Sequence, residues 1–495
     1  MAWMAVTRTL SLTALRSRQL LLPALYILLA VSFVFLVYQR EFGYTVVPSV
    51  AEDIISINNT NTDNGTLPAI TTTDPTPAQS TPALQKSKPK YKPQPTWSPP
   101  PVKDPFPLLS LTTNPPPVPS WNRPKEPNVY LAYGLPVAPP LLISFTRSWP
   151  LLLQTVVGYI TAGWPADQIF VLENTGVHDS NAKGLLSLQN PLFLNYTQLS
   201  ILNVNVVRTP VLLSFAQLQN YFGFLAREKL WPYYFWSHMD SFVLSYEEGM
   251  EGVSGPVNTP DYQTIYELAV KALNHTVNSN QTWGVTFFAY DHLTLVNPHA
   301  LDSVGGFDTF IPYYMTDCDM YWRLEEAGWN IKEEKAGIVE DVASVLDDLR
   351  VLYREGDIIP EGLGFTDPNP PPPDIPEDYH EETKIRDVPP PSRGGTASTA
   401  DTMALESFRR LYQISHEMLI HKKGDRGRNT WQLGQRGGDP REPYAYDALG
   451  FQDGINVITE AGKEVFRRKW GHKGCDFGAA GLKPSDAWKV EPDWE

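Results

Sequence analysis

From Leu141 to Ser245, short apolar runs alternate with amphipathic stretches, and few folds satisfy that alternation. LLISFT (141–146) is a brief apolar run of the kind that forms a buried strand. WPLLLQTVVGYITAG (149–163) repeats apolar residues at helical spacing and stops at Gly163. DQIFVLENTG (167–176) returns to strand character and ends in a polar turn. LSILNVNVV (199–207) predicts another strand, and LSFAQLQNYFGFLAREKL (213–230) another helix. PYYFWSHMDSFVLS (232–245) predicts a strand that breaks into a loop at its polar residues. Strands joined by helices of this length make right-handed βαβ units, so the expected fold is α/β, a mostly parallel sheet flanked by helices. Ligands of such sheets bind beyond the carboxyl ends of the strands. Glu173, Asn174, His238 and Asp240 all fall at such ends.

The pattern continues with a helix over 262–274 and a strand over 282–290. WNIKEEKAGIV (329–339) reads as a strand, and DVASVLDDLRVLYREG (341–356) as a helix. These place a catalytic core over 128–356. Residues 357–402 hold a proline block, expected as a flexible insertion because folded-looking sequence resumes after it. SFRRLYQISHEMLIHKK (407–423) is amphipathic and helical, and 403–495 is assigned to the C-terminal part of the same domain.

Ahead of the core, residues 20–38 carry no charge over nineteen positions, enough for a helix to span a bilayer. Arg8, Arg16 and Arg18 precede that run, which puts residues 1–19 in the cytosol and the remainder in a lumen. A cleaved signal peptide would have a shorter apolar region and a small-residue cleavage site after it. Residues 39–127 are expected to be a stalk, rich in Pro and Thr and too poor in large apolar side chains to fold. Glycosylation sequons at Asn58, Asn64, Asn195, Asn274 and Asn280 suit a lumenal location, so a single-pass type II protein of the Golgi or endoplasmic reticulum is expected. A net charge of −15 argues against a nucleic-acid partner. The two cysteines, Cys318 and Cys475, exclude a disulfide framework and a Cys-based zinc site; whether they pair stays open.

The chemistry-bearing residues cluster in LDSVGGFDTFIPYYMTDCDMYWRLEEAG (301–328). Asp317 and Asp319 lie at the start of a predicted helix, where its dipole favours anions. A carboxylate held there could take a proton from a bound hydroxyl; an ordinary acidic cap is the plain alternative. His238-Met-Asp240 offers ligands for a divalent cation, or a polar loop cap. Glu173-Asn174-Thr175 could bind a nucleotide base or ribose, or simply make a turn. Asn220, a poor helix former inside a predicted helix, could face the same ligand or solvent. His421, Lys422, Lys423, Arg426 and Arg428 could neutralise a leaving diphosphate, or form a solvated basic loop. No GxGxxG follows a strand, and neither a P-loop nor Gly-x-Ser-x-Gly is present.

In the order LLISFT, FVLENTG, LQNYFG, FWSHMDSF, VGGFDTF and TDCDMYWRLEEAGW, the chain resembles the GT-A-fold nucleotide-sugar glycosyltransferases, most closely the inverting family 2 and its fungal type II membrane members. The match covers roughly 140–335, and Gly305-Gly306-Phe307-Asp308 with Asp317-x-Asp319-x-x-x-Arg323-Leu324 is its most specific part. The resemblance implies a hexosyltransferase-like enzyme moving sugar from a nucleotide-sugar donor to a glycan, protein or lipid hydroxyl. It implies Asp317 as general base, with Asp319 and Arg323 supporting that helix start. Glu173 would read the donor's base, with Asn174, Asn220, Lys422 and Arg426 as further donor contacts. Asp240 and His238 would hold Mn²⁺ or Mg²⁺. Of two departures from the pattern, Thr316 for a Glu leaves the base itself in place, and His238 for the first metal-binding Asp leaves open a catalytically inactive GT-A domain acting as a binding or scaffolding subunit.

Overall fold

The computed structural model describes residues 100–279, 282–354, 359–367, 399–426 and 448–494, with short pieces at 88–91, 93, 438–439 and 441–442. The chain divides after Tyr91, and the unit Lys92–Glu495 carries everything below. Among the described residues no helix is long and apolar enough to cross a membrane. The expected anchor at 20–38, the stalk to residue 87, the sequons at Asn58, Asn64 and Asn280, and most of the proline block lie outside those residues.

Seven strands form the central sheet: β1 (Leu141–Phe145), β2 (Ile169–Glu173), β3 (Asn205–Arg208), β4 (Tyr234–Ser237), β6 (Trp283–Phe287), β7 (Leu293–Val296) and β8 (Asn330–Glu333). Their order is β3-β2-β1-β4-β7-β6-β8, parallel except at β7, which runs antiparallel to both neighbours. The fold is therefore the mixed α/β sheet that the alternation predicts. Successive residues of β1 serve opposite faces: Leu141, Ile143 and Phe145 enter one core, and Leu142 the other. That period of two follows from the pleat. Helix α1 (Trp149–Thr161) and helix α3 (Ile265–Asn278) cover the first face. Helix α2 (Phe215–Glu228), α4 (Pro298–Ser303) and the first buried turns of α5 (Thr316–Glu326) cover the second. Both α2 and α3 open with capping boxes, Ser214 with Gln217 and Thr264 with Glu267, which satisfy the exposed first-turn amides.

Four expectations need correction. The run 199–207 is not one strand: a short helix ends at Ile201 and only Asn205–Arg208 joins the sheet. Residues 329–339 split into β8 and β9 (Ile338–Asp341), and β9 pairs outside the main sheet with β5 (Ser241–Leu244). The predicted helix over 341–356 is instead a two-residue strand, β10 (Val345–Leu346), and a 3₁₀ turn at Leu349–Tyr353. Gln154 of α1 explains this: its side chain binds Ser344 O at 3.1 Å and Leu346 N at 2.8 Å, taking backbone groups a helix would need. β10 then pairs with β11 (Phe365–Thr366) at the start of the proline block. Finally, the folded domain starts before residue 128. Phe106 and Leu109 are fully buried, and Asn122 donates to Thr161 O at 2.9 Å and Glu247 Oε1 at 3.0 Å. A proline-rich strand of chain needs few internal hydrogen bonds and can lie on a surface where single large side chains enter the core.

Beyond the proline block, α6 (Thr399–Ile420) adds Phe408, Leu411, Ile414 and Met418 to the first core. Helix α7 (Ala448–Trp470) brings Phe466 and Trp470 against Ile311, Phe477 and Leu482, a third cluster. Cys318 and Cys475 are disulfide-bonded, tying α5 to the segment after α7 across 157 residues of sequence. Closing so long a loop restricts the unfolded chain, so Cys318→Ser with Cys475→Ser is expected to cost about 2–5 kcal/mol. Thermal melting with and without reductant checks this; an unchanged midpoint would mean that the aromatic cluster alone holds the tail.

Candidate functional site

Strand β1 is bordered by β2 on one side and β4 on the other, so successive crossovers leave it in opposite directions. Such a reversal opens a crevice at the carboxyl ends, where ligands of open α/β sheets sit. The residues at the end of β4 are Ser237, His238, Met239 and Asp240. Two side chains one helical turn apart on α1 hold this turn in place. The Tyr159 hydroxyl donates to Ser237 Oγ at 2.8 Å. Thr155 Oγ1 donates to Met239 O at 2.7 Å and accepts from Ser241 N at 3.0 Å.

Antiparallel pairing of β4 with β7 sets Ser237 opposite Leu293, so the next residues outward, His238 and His292, face each other. Their ring centroids are 4.9 Å apart. The tight β6–β7 turn, with Tyr290 at φ +49°, also delivers Asp291. His238 Nε2 is 3.6 Å from Asp291 Oδ2, and His238 Nδ1 is 3.7 Å from Asp240 Oδ1. One donor atom from each of His238, Asp291 and His292 lies within 4.8 Å of the others, a set that could hold a metal ion.

The β5–β9 pair brings a third carboxylate, since Asp341 is opposite Ser241 and Val342 N donates to Asp240 O at 2.9 Å. Into the gap between Asp240 and Asp341 comes Lys422, from the π-helical turn His421–Arg426 that follows α6. Its ammonium is buried, 2.9 Å from Asp240 Oδ2 and in contact with Asp341 Oδ1. Burial alone would lower the Lys422 pKa, but the Asp240 and Asp341 carboxylates outweigh it and raise it. Burial would likewise raise Asp341, and Lys422 instead holds it well below the usual carboxylate range. His238 is pushed down by burial but up, on balance, by Asp291, Asp240 and Asp341. Burial dominates at His292 and lowers it.

Asp317 and Asp319 are two positions apart on α5, so their side chains point roughly 200° apart around the helix. Asp317 is half-buried, and the Tyr290 hydroxyl donates to its Oδ2 at 3.1 Å. Burial raises the Tyr321 hydroxyl well above its ordinary value, and the negative charges of Asp291 and Asp317 add to that rise. Asp319 is fully buried on the other side. It accepts two bonds from Arg323, at 2.8 and 3.0 Å, and one from Trp470 Nε1 at 3.0 Å, with Lys469 Nζ at 2.7 Å. Arg323 Nη1 donates to Val304 O at 2.6 Å, and Nη2 donates also to Gly306 O at 2.7 Å.

The expected donor contacts are distributed differently. Glu173 is buried, and its carboxylate accepts from Thr175 at 3.1 Å, Asn181 at 2.8 Å and the Tyr196 hydroxyl. Asn174 clamps the next loop, binding Leu213 N at 2.7 Å and Leu213 O at 2.9 Å. Asn220 does the same to Phe307, at 2.7 Å to its N and 2.9 Å to its O. A Cβ at Gly306 would lie 2.6 Å from Asn220 Oδ1, at φ +69°, so that close approach requires glycine. Lys422 joins the carboxylates of Asp240 and Asp341, and the Arg426 side chain lies outside the described residues. Sequence reasoning missed Asp291, His292 and Asp341. The signal for the first two was the Asp-His pair ahead of LTLV, visible only once 293–296 is read as its own strand.

No protein-family model and no curated protein sequence matches the chain. Among solved structures it is similar to the mannosyltransferase PcManGT from Pyrobaculum calidifontis, solved in complex with GDP-Man and Mn²⁺, at 13% identity and a TM-score of 0.26. The alignment covers 43% of this chain and 63% of that one, less than two thirds of its length.

Proposed function

We propose that this chain is a glycosyltransferase that moves a sugar from a nucleotide-sugar donor to an acceptor hydroxyl, with inversion and with a divalent metal. The observation that carries the reading is a His/Asp cluster at the switch point of an α/β sheet, with Tyr290, next in the chain to Asp291, bonded to a separate half-buried carboxylate, Asp317. The two have complementary uses. His238, Asp291 and His292 would hold the metal, which supplies positive charge to the donor's diphosphate as it leaves. Asp317 takes the proton of the acceptor hydroxyl as that oxygen bonds to the anomeric carbon and the bond from carbon to the diphosphate oxygen breaks. Tyr290 orients the Asp317 carboxylate through its hydroxyl. The resemblance of the GGFD and TDCDMYWRL segments to inverting GT-A family 2 supports the same roles.

The compartment is part of the proposal: residues 20–38 anchor the chain as a type II protein, with the domain in the Golgi or endoplasmic-reticulum lumen. The Cys318–Cys475 bridge supports an oxidising compartment. Incubation of the purified protein with UDP-, GDP- and CMP-sugars plus Mn²⁺ tests the activity. Donor hydrolysis or transfer with one of them is expected. Nucleotide binding with no turnover would instead favour an inactive binding subunit, and neither binding nor turnover would sink the donor reading altogether.

A further inference from the structure

We infer that the metal ligands of this site are His238, Asp291 and His292, and that Asp240 orients His238 rather than binding the ion. This deepens the sugar-transfer reading and rests on the same site. Asp240 is already committed: Lys422 holds its Oδ2 at 2.9 Å from within the protein, so a cation bound at that oxygen would sit against a buried ammonium and be repelled by it. Its other oxygen faces His238 Nδ1 at 3.7 Å. A carboxylate behind the non-ligating nitrogen is the usual way a metal-binding histidine is oriented.

The nitrogens on the far side are the ones in need of a partner. His238 Nε2 and His292 Nδ1 are shielded from solvent and make no hydrogen bond of normal length among the described residues, the nearest group to His238 Nε2 being Asp291 Oδ2 at 3.6 Å. Buried polar atoms are normally satisfied, so two such atoms beside Asp291 point to a ligand. Donors of one metal shell lie roughly 3–4 Å apart for bonds of about 2.0–2.2 Å. A set already within 4.8 Å closes on an ion by small side-chain rotations. The charge balance agrees. Asp240, Asp291 and Asp341 against Lys422 leave two negative charges when both imidazoles are neutral, which is the charge of one divalent cation.

Two imidazoles and one carboxylate also select the kind of ion. Imidazole suits borderline transition metals, whereas Mg²⁺ prefers an all-oxygen shell. The site therefore takes Mn²⁺, Co²⁺ or Zn²⁺ and discriminates against Mg²⁺. The test reads bound metal in the full chain with no substrate present, so it stands or falls independently of sugar transfer. Protein stripped with a chelator and dialysed against each ion is analysed by elemental mass spectrometry and calorimetry. About one Mn²⁺, Co²⁺ or Zn²⁺ per chain is expected, with Mg²⁺ at least tenfold weaker. Asp291→Asn and His292→Gln lose binding, while Asp240→Asn weakens it about 10–100-fold, as for an outer partner. The melting temperature of the unsubstituted protein, raised by Mn²⁺ but not by Mg²⁺, reads the same selectivity without any variant. Metal retained in Asp291→Asn and His292→Gln but abolished in Asp240→Asn would overturn the assignment. So would equal binding of Mg²⁺ and Mn²⁺, or no binding of any of the four ions.

Discussion

Replacing Asp317 by Asn is expected to lower kcat for transfer by roughly 10²–10⁴-fold, the usual contribution of a positioned general base. The change is nearly isosteric, leaves the Tyr290 hydroxyl an oxygen to bind, and removes only the ability to hold the acceptor's proton. Donor affinity should stay within a few-fold, because a base acts on the acceptor and not on the donor. The melting temperature should be almost unchanged, since Asp317 is half-buried and is held by a tyrosine hydroxyl rather than by a buried counter-ion among the described residues. Steady-state kinetics with nucleotide-binding titrations in parallel check the assignment. An Asp317→Asn protein that transfers at the parent rate, or that loses donor binding, would remove Asp317 from the role of base.

The opposite profile is expected two residues along. Asp319→Ala should destabilise the fold by about 3–5 kcal/mol, the cost of leaving buried cations without their counter-ion. Arg323 and Lys469 both converge on that carboxylate, and Trp470 loses the acceptor for its indole N–H. Because Lys469 and Trp470 belong to α7, the damage should concentrate where the C-terminal helix meets α5. Denaturant titration gives the size of the effect, and hydrogen exchange over 448–494 gives its place. Full stability in Asp319→Ala would show that the aromatic cluster and the Cys318–Cys475 bridge hold the tail unaided. The pair Asp317 and Asp319 thus separates by measurement into a residue that changes rate and one that changes stability.

The expected elements are strongest where a periodic pattern is long and local. Helices α1 and α2 and strands β1, β2 and β4 lie where hydrophobic spacing put them, because burial on one face of a helix or both faces of a strand writes itself into adjacent residues. The misread segments are short or depend on distant partners. DVASVLDDLRVLYREG has helical spacing, yet Gln154, 190 residues away from Ser344, takes its backbone groups. Phe106 and Leu109 sit in a proline-rich stretch whose average composition hides two well-buried anchors. Asp291 and His292 escaped notice because β7 is four residues long and follows its partner strand after a tight turn.

By itself the sequence determined the α/β class, the mostly parallel sheet and the positions of His238, Asp240 and Asp317 at ends of regular elements, since each rests on local periodicity. What surrounds those residues was decided only in three dimensions. Antiparallel register put His292 against His238, the β5–β9 pairing brought Asp341 beside Asp240, and a turn after α6 inserted Lys422 between the two carboxylates. Contacts between residues so far apart in the chain leave no periodic trace. They arise from strand pairing and from the need of buried charges for counter-ions, which no local window records.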